Sequence, residues 1–174
     1  MTPAKRRSDG QPAPLKQQVA ELIPALRAFA RTFTLDASDG DDLVQETLVR
    51  ALRSIDSFHP GTSLKSWLFT IMRNTYYTQY RKRVREGPAA QDCVSGRLTV
   101  AAGQEWSVAE AEMKAALSRL GRDQQQILVM VAGLGFSYEE AATVMDCAIG
   151  TVKSRLSRAR EALAQEMGGN PLHT

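Results

Sequence analysis

The segment from Glu86 to about Gly103 divides the chain. It carries Gly87, Pro88, Gly96 and Gly103 and has no helical rhythm, whereas apolar residues on both sides recur at helical spacing. A break of roughly twenty residues is too long for a loop inside one compact domain. The pattern predicts an all-α protein of two small helical domains joined by a flexible linker, and 174 residues suffice for two. No strand pattern of any length appears. The expected divisions are a disordered arm over 1–14, a first module over 15–85, the linker over 86–105, a second module over 106–168, and a tail over 169–174.

Composition narrows the chemistry. A hydrophobic content of 43% supplies a real core, yet no apolar run approaches the ~20 residues that span a bilayer. The N-terminus is basic but lacks a following apolar segment, so no secretory signal is expected and the cytoplasm is the expected location. Cys93, Cys147, His59 and His173 stand apart from one another. They offer no metal cluster, and no nucleophile or acid–base set accompanies them. The reading is of a non-enzyme with no catalytic residues, no cofactor, no metal, no small-molecule substrate and no membrane partner. Net charge is only +3, so placement of charge says more than its total.

In the first module Leu15, Val19, Leu22, Leu26, Phe29 and Phe33 share one helical face, with a kink or fresh start at Pro24. Asp36–Asp42 reads as a polar turn. A second helix, about Asp41 to Ile55, buries Val44, Leu48, Ala51, Leu52 and Ile55. Its other face carries Asp42, Gln45, Glu46, Val49 and Arg50, with Val49 apolar amid polar neighbours. That face is either a solvated surface or a docking site for a basic partner. The third helix, about Leu64 to Arg85, buries Leu64, Trp67, Leu68, Ile71, Met72 and Thr75. Outward it shows Phe69, Arg73, Tyr76, Tyr77 and Tyr80, then the run Arg81 to Arg85 that includes Arg83. Aromatics interleaved with cations make a platform for unstacked bases, each stack worth ~1–3 kcal/mol. The alternative is that the tyrosines cover a second small core.

The second module predicts helices over about Val108–Leu120, Asp123–Ala132, Tyr138–Met145 and Ile149–Met167. Ser137 and Glu140 have capping-box spacing, and Asp123 with Gln126 repeats it one helix earlier. Two helices joined through Asp146-Cys147-Ala148 make a helix-turn-helix. On the last helix Val152, Leu156, Ala159 and Leu163 must face inward. Off that stripe lie Thr151, Lys153, Ser154, Arg155 and Arg158. No acidic residue occurs between Asp146 and Glu161, while four basic ones do. Cations and hydroxyls on one exposed helix suit phosphates and major-groove base edges.

Three stretches carry a resemblance. Asp41–Ala51 (DDLVQETLVRA) resembles the core-binding segment of bacterial sigma factors, Ser63–Thr75 (SLKSWLFTIMRNT) their −10-recognition helix, and Gly150–Arg160 (GTVKSRLSRAR) their −35-reading helix. In this order, with this linker, the chain is similar to the extracytoplasmic-function (ECF) sigma factors, over roughly residues 15–167. Phe58-His-Pro-Gly-Thr-Ser, Tyr76-Tyr77 with Tyr80-Arg-Lys-Arg, and Gly135-Phe-Ser-Tyr-Glu-Glu-Ala-Ala look most like the EcfG general-stress-response subgroup.

The resemblance implies a sigma factor whose partners are core RNA polymerase (its β′ clamp helices and β flap), promoter DNA and a NepR-type anti-sigma protein released by a PhyR-type regulator. It implies that Asp42, Gln45, Glu46, Val49 and Arg50 dock on polymerase. Phe58, His59, Ser63, Lys65, Arg73, Asn74, Tyr77, Tyr80, Arg81 and Arg83 would hold −10 DNA. Thr151, Lys153, Ser154, Arg155 and Arg158 would hold a −35 element resembling GGAAC. Two departures bear on geometry: Asp146 stands where many relatives have Gly, and Ala148 where Ser or Pro is common. Two rivals remain at this point, a sigma-mimicking decoy that titrates an anti-sigma protein and a plain helix-turn-helix regulator. A decoy would be expected to carry a receiver domain and to lose the basic faces.

Overall fold

The computed structural model describes residues 14–34, 36–86 and 108–168. The arm before Pro14, the linker with Cys93, and the tail with His173 lie outside these residues. Everything regular in the described residues is helix.

Four helices form the first module: α1 (Leu15–Glu21), α2 (Ile23–Ala30), α3 (Ala37–Arg53) and α4 (Leu64–Glu86), with one 3₁₀ turn at Ile55–Ser57. Pro24 falls in the first turn of α2, where a missing N–H costs nothing, so it starts a helix and does not kink one. The Asp36–Asp42 stretch, expected as a turn, is the opening of α3. The Asp36 carboxylate accepts from the Ser38 amide at 2.9 Å, and Gly40 is buried. Leu43, Val44 and Ala51 face inward with Thr47, whose buried hydroxyl donates to the Leu43 carbonyl at 2.7 Å.

The second module holds α5 (Val108–Arg119), α6 (Arg122–Leu128), α7 (Tyr138–Met145) and α8 (Ile149–Glu166). The repeat capping box expected at Asp123 and Gln126 does not form. The start of α6 is Gly121, whose amide is bonded by Gln124 at 3.1 Å, and Gln126 is wholly buried. After Leu128 the helix widens into a π-turn, Val129–Gly133, closed by the Leu134 amide on the Val129 carbonyl at 2.8 Å. Gly135 then takes φ +65°, and the Phe136 amide bonds the Met130 carbonyl, which turns the Phe136 ring out of its own module.

That ring settles how the modules meet. A linker of this length predicts a soft arrangement, but α4 packs directly on α7, and one buried cluster runs through both modules. Phe69, expected on the outer side of its helix, is fully buried between Phe29 (4.9 Å between centroids) and Phe136 (4.8 Å). The reason is that α4 serves two neighbours, α3 on one side and α7 on the other. Among the described residues no helix is long and apolar enough to cross a membrane.

Candidate nucleic-acid and polymerase interfaces

Three surfaces collect the residues singled out from the sequence. On α3, Asp42, Gln45, Val49 and Arg50 are exposed and Glu46 is half-buried. The Arg50 guanidinium bonds the Glu46 carboxylate at 2.7 Å, a pair in open solvent that contributes little to stability. Leu52 was expected in the core and is not: it is 46% exposed, against 41% for Val49. Three residues apart, the two side chains adjoin on the helix surface. The face is thus more apolar than the alternation of charges suggested, which suits burial under a partner.

At the start of α4 the loop is tightly made. Gly61 takes φ +96°, a conformation that favours glycine, and the Thr62 hydroxyl and amide both bond the His59 carbonyl. His59 is exposed, while the Phe58 ring lies 5.4 Å from Trp67. Ser63 caps α4 by accepting the Ser66 amide at 3.2 Å, and its hydroxyl donates to Glu140 Oε1 of α7 at 2.7 Å. Lys65 Nζ donates to the Leu134 carbonyl and stands 4.0 Å above the Phe136 ring. Two candidate −10 residues are therefore engaged by the second module.

Further along α4, Asn74, Arg81 and Arg83 are exposed. The Arg73 guanidinium lies over Tyr77 at 4.9 Å. Tyr76 stacks near-parallel on Tyr80 and packs 4.7 Å from Phe33. The tyrosine ladder is thus half core and half surface: Tyr76 is held by Phe33, and the half-buried Tyr77 and Tyr80 lie between it and the open basic end.

The helix-turn-helix has the expected build. The Ser137 hydroxyl accepts the Glu140 amide at 3.1 Å and the Glu140 carboxylate accepts the Ser137 amide at 2.9 Å, a complete capping box. Bonding to the Ser137 amide, then to the Ser63 hydroxyl, then attraction to Lys65, holds the Glu140 carboxyl below the usual carboxylate range. Asp146 is left-handed at φ +51°, where Asp is tolerated better than most residues. The Ala148 side chain supplies no cap to α8.

On α8, Thr151, Ser154, Arg155 and Arg158 project to one side of the buried stripe. At 100° per residue Lys153 falls on the opposite flank, where its ammonium lies 5.9 Å from the Tyr138 ring. The five residues grouped from the sequence thus separate into four and one. Arg155 is steered by Asp123 of α6 at 3.7 Å. Ile149, 40% exposed in the first turn, was missed. Its signal was an apolar residue off the stripe of a helix that enters a major groove, where thymine methyls offer apolar contact.

Residues 19–86 match the Sigma-70 region 2 family and residues 110–163 match Sigma-70, region 4. The chain is 47% identical over 150 residues to the ECF RNA polymerase sigma factor EcfG of Rhodopseudomonas palustris (strain TIE-1), covering 86% of this chain and 83% of the relative. Its fold is similar to the sigma factor RpoE of Bartonella quintana, solved in complex with the anti-sigma factor NepR. The TM-score is 0.77 at 42% identity, covering 87% of this chain and 95% of that one. It is also similar to CnrH, solved in complex with the cytosolic domain of CnrY, with a TM-score of 0.62 at 30% identity over 87% of this chain and 85% of that one.

Proposed function

The chain belongs to the ECF family of RNA polymerase sigma factors, and from that premise we propose how its three surfaces divide the work of initiation. The exposed face of α3, with Asp42, Gln45, Glu46, Val49 and Arg50 and now Leu52, docks on the β′ clamp helices. The loop Phe58–Ser63, Lys65, Asn74 and the Arg73/Tyr77/Tyr80 ladder hold melted −10 DNA, and Arg81 and Arg83 track its backbone. Thr151, Ser154, Arg155 and Arg158 read the −35 element, and Lys153, on the other flank, reaches at most a phosphate. Bond-making chemistry belongs to the polymerase, and the protein works in the cytoplasm beside it.

One observation supports this division above others. A complete helix-turn-helix with four cationic or hydroxylic side chains on one flank of α8 shares the chain with an aromatic–basic helix, α4. A duplex reader uses the first, a holder of single strands the second. Initiation needs both.

The similarity to EcfG and to a sigma factor solved with NepR supports a finer reading: the promoters belong to the general stress response, and a small NepR-type anti-sigma protein withholds the chain from polymerase. Run-off transcription tests the whole. Purified chain with core polymerase starts RNA synthesis at promoters whose −35 element resembles GGAAC. A chain that binds only the anti-sigma protein and supports no transcript is a decoy instead. Excess polymerase restores transcription blocked by the anti-sigma protein. A ternary complex with full transcription would exclude withholding by occlusion.

A further inference from the structure

The seam between the modules is built on residues assigned above to −10 DNA. Ser63 gives its hydroxyl to the Glu140 carboxylate at 2.7 Å, Lys65 gives its ammonium to the Leu134 carbonyl, and the Phe136 ring lies beneath that ammonium and against Phe69. Arg122 of α6 extends the seam by lying over Tyr76 at 5.1 Å. A carboxylate oxygen, a carbonyl oxygen and an aromatic ring are the acceptors and the flat surface that a melted strand offers.

The closed form also cannot reach across a promoter. A folded chain of this length is on the order of 40 Å across. The −35 and −10 elements lie roughly 25 base pairs apart, on the order of 80 Å of duplex. Reading both requires the modules to part. The seam is made to be opened, since most of its contacts are polar. Gln126, one turn from Arg122 on the same face of α6, is fully buried with neither amide atom partnered among the described residues, a cost that water would relieve.

We propose that the isolated chain is self-occluded: the turn Leu134–Phe136 and the start of α7 stand in for −10 DNA on Ser63 and Lys65, and the promoter is read only after polymerase draws the modules apart. This rests on the −10 assignment above. It makes the chain its own first inhibitor, before any anti-sigma protein acts.

The test uses the full chain with Cys93 and Cys147 changed to Ser and donor and acceptor dyes on cysteines placed at exposed Arg53 and Arg160. Free wild-type chain gives high energy transfer and binds a single-stranded −10 oligonucleotide weakly. Core polymerase lowers the transfer. Glu140→Gln, which keeps a side chain the capping box accepts, and Phe136→Ser, which leaves net charge unchanged, both lower the transfer without polymerase. Both tighten oligonucleotide binding about tenfold or more, because apparent affinity scales with the fraction of open molecules. Low transfer in the wild-type chain overturns the proposal. So do variants that stay closed, and variants that open yet bind no tighter. Failure of the −10 assignment reads differently: wild-type chain on core polymerase would then ignore −10 substitutions in run-off transcription, whatever the dyes report.

Discussion

The outer face of α3 and the start of α4 belong to one module and meet opposite fates in the isolated chain. Val49 and Leu52 on α3 are open to solvent among charges that pair only with each other or with water. Ser63, Lys65 and Phe69 on α4 are held by Glu140, Leu134 and Phe136. Docking through α3 needs no rearrangement, whereas reading through α4 does. The difference orders the events: polymerase first, DNA second.

The largest expected effect removes the first event alone. Asp42→Arg with Glu46→Arg abolishes co-purification with core polymerase, while circular dichroism stays that of the parent, because the Glu46–Arg50 pair is exposed and contributes little. Retained binding would mean that α3 is not the open door.

Stability sharpens the contrast next. Phe69→Ala, deleting a ring shared by three elements, costs about 3–5 kcal/mol in urea unfolding. Val49→Ser, on the open face, stays within about 0.5 kcal/mol. Equal costs would erase the distinction between held and open.

The α8 flank is open as well, so its substitutions act on DNA without unfolding. Arg155→Ala and Arg158→Ala each weaken a matched −35 duplex by ~1–3 kcal/mol where the contact is bidentate to a base. A residue touching only phosphate instead lowers the salt slope by about one, on matched and scrambled duplexes alike. Isotherms at several salt concentrations separate the two, and no effect from either would make this flank mere solvated surface.

The smallest effect is in pH. Glu140 is held below the ordinary carboxylate range by the Ser137 amide first, with the Ser63 hydroxyl and the Lys65 charge behind it and Glu139 alongside opposing. Its contribution is therefore present above the ordinary carboxylate value and lost as pH falls through its lower folded value. Thermal unfolding from about pH 6 to about pH 3 steepens less in Glu140→Gln than in the parent. Identical pH dependence would show that the carboxylate contributes nothing to the seam.

Much of this was legible in the residues. The inward stripes of α8 and the capping box at Ser137 follow from spacing alone, and the ECF resemblance rested on three stretches in order. The misses share a cause. Periodicity reports one buried stripe per helix, so Phe69 on α4, a helix with two neighbours, read as surface. Leu52 sat at core spacing on α3 but beyond the reach of α4. Asp36–Asp42 looked like a turn because only Gly40 of its first residues faces inward. Lys153 and Arg155 looked alike in a list of cations, and only the turn of the helix set them on opposite flanks.

The π-turn at Val129–Gly133 holds one more residue than an α-helix would need to cover the same rise. That surplus sets the phase of everything after it. Deleting exposed Ala132 would let the helix run on in ordinary register and swing the following residues by about 100° around its axis. Leu134 would then offer its oxygen, and Phe136 its ring, to empty solvent. A single codon thus acts as a clutch between the two halves, coupling them when present and letting them spin free when lost.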